Sequence, residues 1–313
     1  MSKQHIAVFM GGPSFEYDVS MASGREVCNT LQQNGYSVTS IHVDKNGEWS
    51  LPIQSLIDNE MVAFLALRGA YGEDGTVQDI LQLHNIPFIG SDALSSALGM
   101  HKILSSNLFY AHGFDIPRFI EVHKNSTWPV FEGITFPVII KPADSGSSLG
   151  ITVIRSYDDI SAALETAFMY SRTVLIQQFV IGKEVSCAVL DNGDGIIFAL
   201  PPIEIISNTN EFCDYSAKYA PYGSEHRVLK TDESKRVMTT AVALHKLIVA
   251  SGMTRSDMII TDDGMLYVLE INTLPDLTAT SIMRKAAYSY GMTFPELLDS
   301  MIHTALKRHE NRK

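Results

Sequence analysis

The chain has 313 residues, 45% hydrophobic and 19% charged, with a formal net charge of −11. That length suits two or three compact units of roughly 100–200 residues each, and the composition excludes a low-complexity or fibrous chain. The acidic balance, without any block of basic residues, excludes a nucleic-acid or anionic-membrane surface and leaves room only for a local cationic pocket.

In chain order, IAVFMGG (6–12) predicts a buried strand running into a glycine turn, and 18–33 a helix that stops at Asn34-Gly35. YSVTSIHV (36–43) and MVAFLAL (61–67) predict further strands. Thr76 followed by Asp79 has the form of a capping box opening the helix VQDILQLH, and IPFIG (86–90) reads as another short strand. Strands alternating with helices to about residue 95 imply a small parallel α/β sheet. A helical stretch from Ser91 to His112 follows. Then the pattern changes: FPVIIKPADSGSSLGITVI (136–154) is strand, glycine-serine loop, strand, too short for a crossover and so a hairpin. Residues 158–170 read as helix, TVLIQQFV (173–180) and EVSCAVLD (184–191) as strands, 207–228 as irregular, 232–251 as helix, 255–272 as a hairpin and 294–308 as a last helix. Boundaries fall near 95 and 185, giving units 1–95, 96–185 and 186–313.

Cys28, Cys187 and Cys213 are odd in number and widely spaced, which reads as free thiols in a reducing compartment. The first apolar run is too short for the core of a signal peptide, and no stretch approaches the ~18 apolar residues of a membrane span. A cytoplasmic protein without membrane partners is expected.

The sharpest local inference is RSDMIITDDGMLYVLEIN (255–272). Asp263-Gly264 between two alternating apolar runs is a strong hairpin signal. A two-residue turn there pairs Asp257 with Glu270 and Arg255 with Asn272, and period two puts all four on one face, together with Ile259 and Val268. Carboxylates directly opposite repel unless a proton or cation lies between them. Two acids and an amide, without histidine or thiol, suit Mg²⁺ better than zinc. The competing reading is the solvated side of an edge hairpin, against which Ile259 and Val268 argue.

KPADSGSSLG (141–150) offers unpaired backbone N–H groups, hydroxyls and the charge of Lys141 to an anion, though it is no Walker loop and a plain hairpin loop remains the alternative. Lys102 and Lys218 could add charge. The Gly11-Gly12 pair lies at the C-terminal edge of the first strand, where such sheets bind ligands, with Glu16 close behind at a helix start. GEDGT (72–76) is either a ligand loop or only turn and cap.

The stretches GGPSFEYDVSMASG, GEDGTVQ, FPVIIKPADSGSSLG, DYSAKY, RSDMII and LEINTLP resemble, in order and spacing, the motifs of the D-alanine–D-alanine ligases, members of the ATP-grasp superfamily. The resemblance spans about residues 5 to 308. It implies an ATP-grasp fold of mixed α/β and α+β class, in which a Rossmann-like parallel α/β substrate domain precedes two α+β lobes that enclose ATP. It implies that ATP phosphorylates the carboxylate of one D-alanine and that the amine of a second attacks the acyl phosphate, making a peptidoglycan precursor. By the same resemblance Asp257, Glu270 and Asn272 hold two Mg²⁺ ions, with Mn²⁺ an acceptable substitute. Lys102, Lys141 and Lys218 contact the ATP phosphates, and the loop at Ser147-Ser148 closes over them. Glu184 binds the ribose, and Gln177, where an acid is common, lines adenine. Glu16 holds the first ammonium, Ser147 and Tyr219 orient Glu16 and close the site, Arg255 stabilises the oxyanion, and Ser281 meets the second carboxylate. Tyr219 favours a dipeptide over a depsipeptide product, and a homodimer is implied.

Two positions depart from the pattern: Arg68 where histidine is usual, and Asp276 where a glycine lends an N–H to the oxyanion. Two readings follow: a compensating Arg68–Asp276 ion pair, or an Asp276 that points to solvent and tolerates exchange. Alternatives to the dipeptide ligase are a ligase with a different amine acceptor and a nucleotide-binding protein without catalysis.

Overall fold

The structure, a computed structural model, describes residues 3–126, 135–146, 149–207, 224–230 and 232–312. Strands β1 (His5–Gly11), β2 (Ser37–Val43) and β3 (Val62–Leu65) form a parallel sheet in the order β2-β1-β3. Parallel neighbours need crossovers, supplied by α1 (Tyr17–Gln33) and the short α2 (Ile53–Asp58), which the sequence reading missed. Helix α1 lies close on β1 because position 24 is glycine: a Cβ there would stand 2.6 Å from the Met10 Cβ. IPFIG makes only a single bridge, Ala63 to Phe88; Pro87 has no N–H to give a ladder.

Helix α3 (Thr76–Leu83) starts without the expected Thr76–Asp79 box. Its N-cap is Gly75 in the left-handed region, and Asp74 does the capping. One Asp74 oxygen accepts the Thr76 N–H at 2.9 Å and the other the Tyr71 N–H at 2.7 Å, closing the turn and the helix start together. The stretch read as one helix over 91–112 is two, α4 (Ala93–Met100) and α5 (Lys102–Ala111), broken at extended His101. At the break the Lys102 N–H leaves the helical ladder for the Ala143 carbonyl at 2.7 Å. The glycine-serine hairpin thereby fixes where α5 begins.

The second sheet is antiparallel: β4 (Phe119–His123), β5 (Val138–Pro142), β6 (Thr152–Ile154) and β7 (Thr173–Gln178), in the order β4-β7-β5-β6. Val138, Ile140, Val174 and Ile176 bury one face against α6 (Ile160–Ala167). Alternation therefore turns Ile139, Lys141, Leu175 and Gln177 to the other face, where Leu175 meets Ile103 of α5.

The third sheet holds β8 (Lys183–Asp191), β9 (Ile197–Ala199), β10 (Ile203–Ser207), β11 (Ser224–Val228), β12 (Met253–Ile260) and β13 (Leu266–Asn272), with β11-β10-β8-β12-β13 in order and β9 on β8. Val185, Cys187 and Val189 of β8 pack with Val237, Ala241 and Leu244 of α7 (Glu233–Leu247). On the opposite face Ala188 and Leu190 join a core shared with the parallel sheet and with α8 (Ile282–Tyr290) and α9 (Phe294–Asn311). Glu184 and Ser186 continue that second face where the helices no longer cover it. One strand thus changes from core to cleft along its length.

The β12–β13 hairpin pairs Asp257 with Glu270 and Arg255 with Asn272, as the sequence predicts, but by another route. Its loop has three residues, Asp262 to Gly264, closed by the Thr261 N–H on the Met265 carbonyl at 3.0 Å, with Gly264 at φ 84°. Met258 then pairs with Val268, leaving Leu269 as a bulge before the Asp257–Glu270 pair. The bulge corrects one expectation: Val268 does not share the face of Ile259 but enters the core against α7 beside Met258. Cys28 and Cys187 are free thiols, which burial pushes up to about 11 and 12; Cys213 lies outside the described residues.

Candidate active site

The three sheets meet at a cavity whose wall includes Lys102, Glu184, Arg255, Asp257, Glu270, Asn272 and Ser281, all singled out from sequence, together with Arg68, Glu73 and Asp276. Four of these come from the polar face of the bulged hairpin, and Lys102 from the first turn of α5. Arg255 clasps Asp257 in a two-pronged pair, Nε to Oδ1 at 3.0 Å and Nη2 to Oδ2 at 2.8 Å. The Ser186 hydroxyl donates to the same Oδ1 at 2.5 Å. Burial opposes the Arg255 charge, but Asp257, then Asp276 and Glu270, overcome it and raise the guanidinium pKa. Lys102 stands 3.3 Å from Glu270 and donates to the Ser145 carbonyl at 2.7 Å, tying the glycine-serine loop to β13.

Glu16, at the start of α1, is 2% exposed and sits beside the cavity rather than in its wall. It reaches the cavity through Arg68 (3.7 Å) and lies so close to Gly146 that a Cβ there would come within 2.6 Å of its Oε2. Lys141 is buried on β5, on the face turned from α6. Ser281 caps α8, its hydroxyl accepting from the Arg284 N–H at 3.3 Å. Ser147, Ser148, Lys218 and Tyr219 lie outside the described residues.

The expected Arg68–Asp276 pair does not form. Arg68, 5% exposed, donates to Glu73 at 2.8 Å and also to the Leu274 carbonyl. Asp276 instead accepts from Thr278 through one oxygen, from the amide at 3.2 Å and the hydroxyl at 2.6 Å. The reason is reach: Glu73 lies in the loop that Arg68 begins, and Asp276 is folded back on its own turn.

Glu73 is a further participant, in a stretch whose sequence reads as either a ligand loop or only turn and cap. Its two oxygens accept from Arg68 and from the Gly69 N–H, which favours the charged form. Burial acts the other way and dominates; with Glu16 adding repulsion against the pull of Arg68, the pKa rises to about 7. His226 on β11, also on the cavity wall, accepts a 2.7 Å hydrogen bond from Lys285 of α8. Burial, then the Lys285 charge, lowers this imidazole to about 4. No sequence signal links these two residues, which are 59 apart.

Two observations test for ligands. Gln177, 2% exposed on the inward face of β7, has a buried Nε2 that finds no hydrogen-bond partner among the described residues, as a side chain awaiting a base edge would. Among the described residues no three His, Cys, Asp or Glu side chains gather for a metal. Asp257, Glu270 and Asn272 nonetheless fit Mg²⁺, which commonly takes one or two protein carboxylates and completes its shell with water and phosphate oxygens.

A parallel α/β domain beside two antiparallel sheets, with acids and cations at their junction, defines an ATP-grasp enzyme. Residues 5–60 match the profile described as D-ala D-ala ligase N-terminus and residues 108–303 that of D-ala D-ala ligase C-terminus. A D-alanine–D-alanine ligase of Geobacter sulfurreducens is 38% identical over 305 residues, covering 96% of this chain and 93% of its own. A solved D-alanine–D-alanine ligase of Bacillus anthracis superposes with TM-score 0.85 at 33% identity, over 99% of this chain and 100% of its own. The same organism's ligase complexed with ATP gives 0.83 at 30% identity, with the same coverage. The chain belongs to the D-alanine–D-alanine ligase family.

Proposed function

We propose that the protein uses ATP to join two D-alanines into D-alanyl-D-alanine through an acyl phosphate, for peptidoglycan precursor synthesis. The carrying observation is the facing Asp257–Glu270 pair, each acid held by a cation, Arg255 or Lys102, inside one cavity with Ser281. Phosphoryl transfer asks the protein mainly for positioning and charge stabilisation. Lys102 and Lys141 would meet the phosphates, Gln177 the adenine and Glu184 the ribose. Glu16, steadied by Arg68, would hold the first ammonium. Arg255, fixed by Asp257, would face the oxyanion of the tetrahedral intermediate as the second amine attacks and phosphate leaves. Ser281 and the N-terminus of α8 would take the second carboxylate. Asp257, Glu270 and Asn272 would hold two Mg²⁺ ions, or Mn²⁺, which when bound neutralise phosphate charge.

The division near residues 95 and 185 is part of the proposal, supported by the separate sheets. So are a homodimer and a cytoplasmic location, the latter supported by the finding that no helix among the described residues is long and apolar enough to cross a membrane. A second reading, the same first half-reaction with another acceptor, is favoured by Asp276 and by a D-Ala:D-Ser ligase of Enterococcus faecalis that superposes with TM-score 0.80 at 28% identity, covering 97% of this chain and 99% of its own. A panel of D- and L-amino acids assayed for ATP-dependent phosphate release and product mass separates the two. D-alanine alone supporting turnover and dipeptide formation is the expected result; turnover only with a mixed pair would replace it.

A further inference from the structure

Of the five carboxylates that the described residues bring to the cavity wall, Asp257 is clasped by Arg255, Glu270 is paired with Lys102 and Glu73 is paired with Arg68. Glu184 lies on β8, two residues before the Ser186 that bonds Asp257. Asp276 is the one that belongs to the segment leading into Ser281 and α8. Thr278 holds its Oδ1 from two sides, and among the described residues no hydrogen bond reaches its Oδ2. The Thr278 carbonyl in turn accepts the Ser281 N–H at 3.1 Å, so the turn that fixes Asp276 also fixes the start of α8. Ser281 and Ile282 share the cavity wall with Asp276, and the N–H groups of the first helical turn have no intrahelical partner. Half-buried Asp276 therefore presents an acceptor and a negative charge next to an anion-binding helix end.

An α-amino acid carries a cationic nitrogen and an anionic carboxylate on adjacent carbons. The segment from Asp276 to Ile282 carries the complementary pair, in the same short span of chain. The surrounding cations, Arg255 and Lys285, would otherwise repel an incoming ammonium. From this, and resting on the function proposed above, we infer that Asp276 is a specificity-determining residue of the second-substrate site: its free oxygen receives the ammonium of the incoming amino acid and disfavours acceptors that lack one. An α-hydroxy acid offers the helix end the same carboxylate but brings Asp276 only a neutral hydroxyl. Its net negative charge is repelled where that of a zwitterion is not.

The test compares D-alanine and D-lactate as second substrates in the full-length enzyme, with Asp276→Asn against the unmodified chain. A lost charge-assisted hydrogen bond predicts that Asp276→Asn raises KM for the second D-alanine about tenfold or more, leaves KM for the first D-alanine within about twofold, and shifts the D-lactate to D-alanine preference upward by a similar factor. Unchanged preference, or an equal fall with both acceptors, overturns the inference. The unmodified enzyme gives a reading independent of any variant. D-lactate should fail to compete with second-site D-alanine even in large excess, and competition at equal concentration overturns the inference too. Failure of the unmodified enzyme to make any D-alanyl product would instead overturn the proposed function itself.

Discussion

The loop from Arg68 to Glu73 and the loop from Asp276 to Ser281 each bring an unusual charge to the same cavity, and they house it differently. Arg68 is enclosed, shared between Glu73, Glu16 and the Leu274 carbonyl. Asp276 is half-buried and keeps one oxygen for the cavity. An enclosed charge is held by partners that would be stranded without it, so it acts on stability and on the aim of its neighbours. An open charge acts on what enters. The difference assigns positioning to Arg68 and selection to Asp276.

Substitutions grade this contrast. Arg68→Ala should have the largest effect, because it leaves Glu73 and Glu16 buried without their shared cation: about 3–5 kcal/mol of stability, with turnover down at least about a hundredfold, read by denaturant unfolding and steady-state kinetics. A loss under ~1 kcal/mol would mean the cluster is no more closed than a surface pair. Glu73→Gln comes next and is read against pH. Glu73 titrates near the ordinary 4.5 when unfolded and at about 7 when folded. The stability tied to its protonated form is therefore complete below 4.5 and is lost as pH rises through 7, a decline approaching about 3 kcal/mol. The variant should show a flatter profile across pH 5 to 8; parallel profiles would remove Glu73 from the titrating cluster.

Glu270→Gln tests a pair intermediate between the two loops, with Lys102 enclosed and Glu270 partly open. It should cost about 1 kcal/mol of stability while lowering turnover at least about tenfold, with a raised Mg²⁺ requirement in a metal titration. An equal fall of stability and turnover would class it with Arg68. Thr278→Val should do least. It removes one of two donors to Asp276, worth up to about 1 kcal/mol in thermal unfolding, and should loosen the preference for D-alanine over D-lactate by only a few-fold. An effect as large as that of Asp276→Asn would show that the turn, not the carboxylate charge, does the selecting.

How far the sequence foretold this site depended on whether local geometry decided it. The Asp-Gly turn suffices to place the hairpin, but Asp257 meets Glu270 only because the bulge at Leu269 offsets a loop one residue longer than the sequence suggests; a Gly-Gly turn after a buried strand suffices to place Glu16 near a sheet edge. What the sequence could not give was direction. It supplied Arg68 and Asp276 as opposite charges, and only the fold reveals that one points to Glu73 and the other back to Thr278. Helix α8 is marked in the sequence by its cap, Ser281, a residue type that serves equally as a substrate contact and as a helix start. The break at His101 was invisible for a different reason: the Ala143 carbonyl that causes it lies 41 positions beyond the Lys102 amide it accepts from.

The bulge at Leu269 has a consequence for changes in chain length. Along β13, Leu266 and Val268 face the core while Glu270 and Asn272 face the cleft, although all four are even-numbered. The extra residue between them is what allows both. Removing one residue elsewhere in the strand would invert the facing of everything on one side of the gap. Removing Leu269 would leave Met258 opposite Val268, Asp257 opposite Glu270 and each side chain on its present face. The backbone position closest to the acid pair is thus the one where this strand can be shortened and still read in frame.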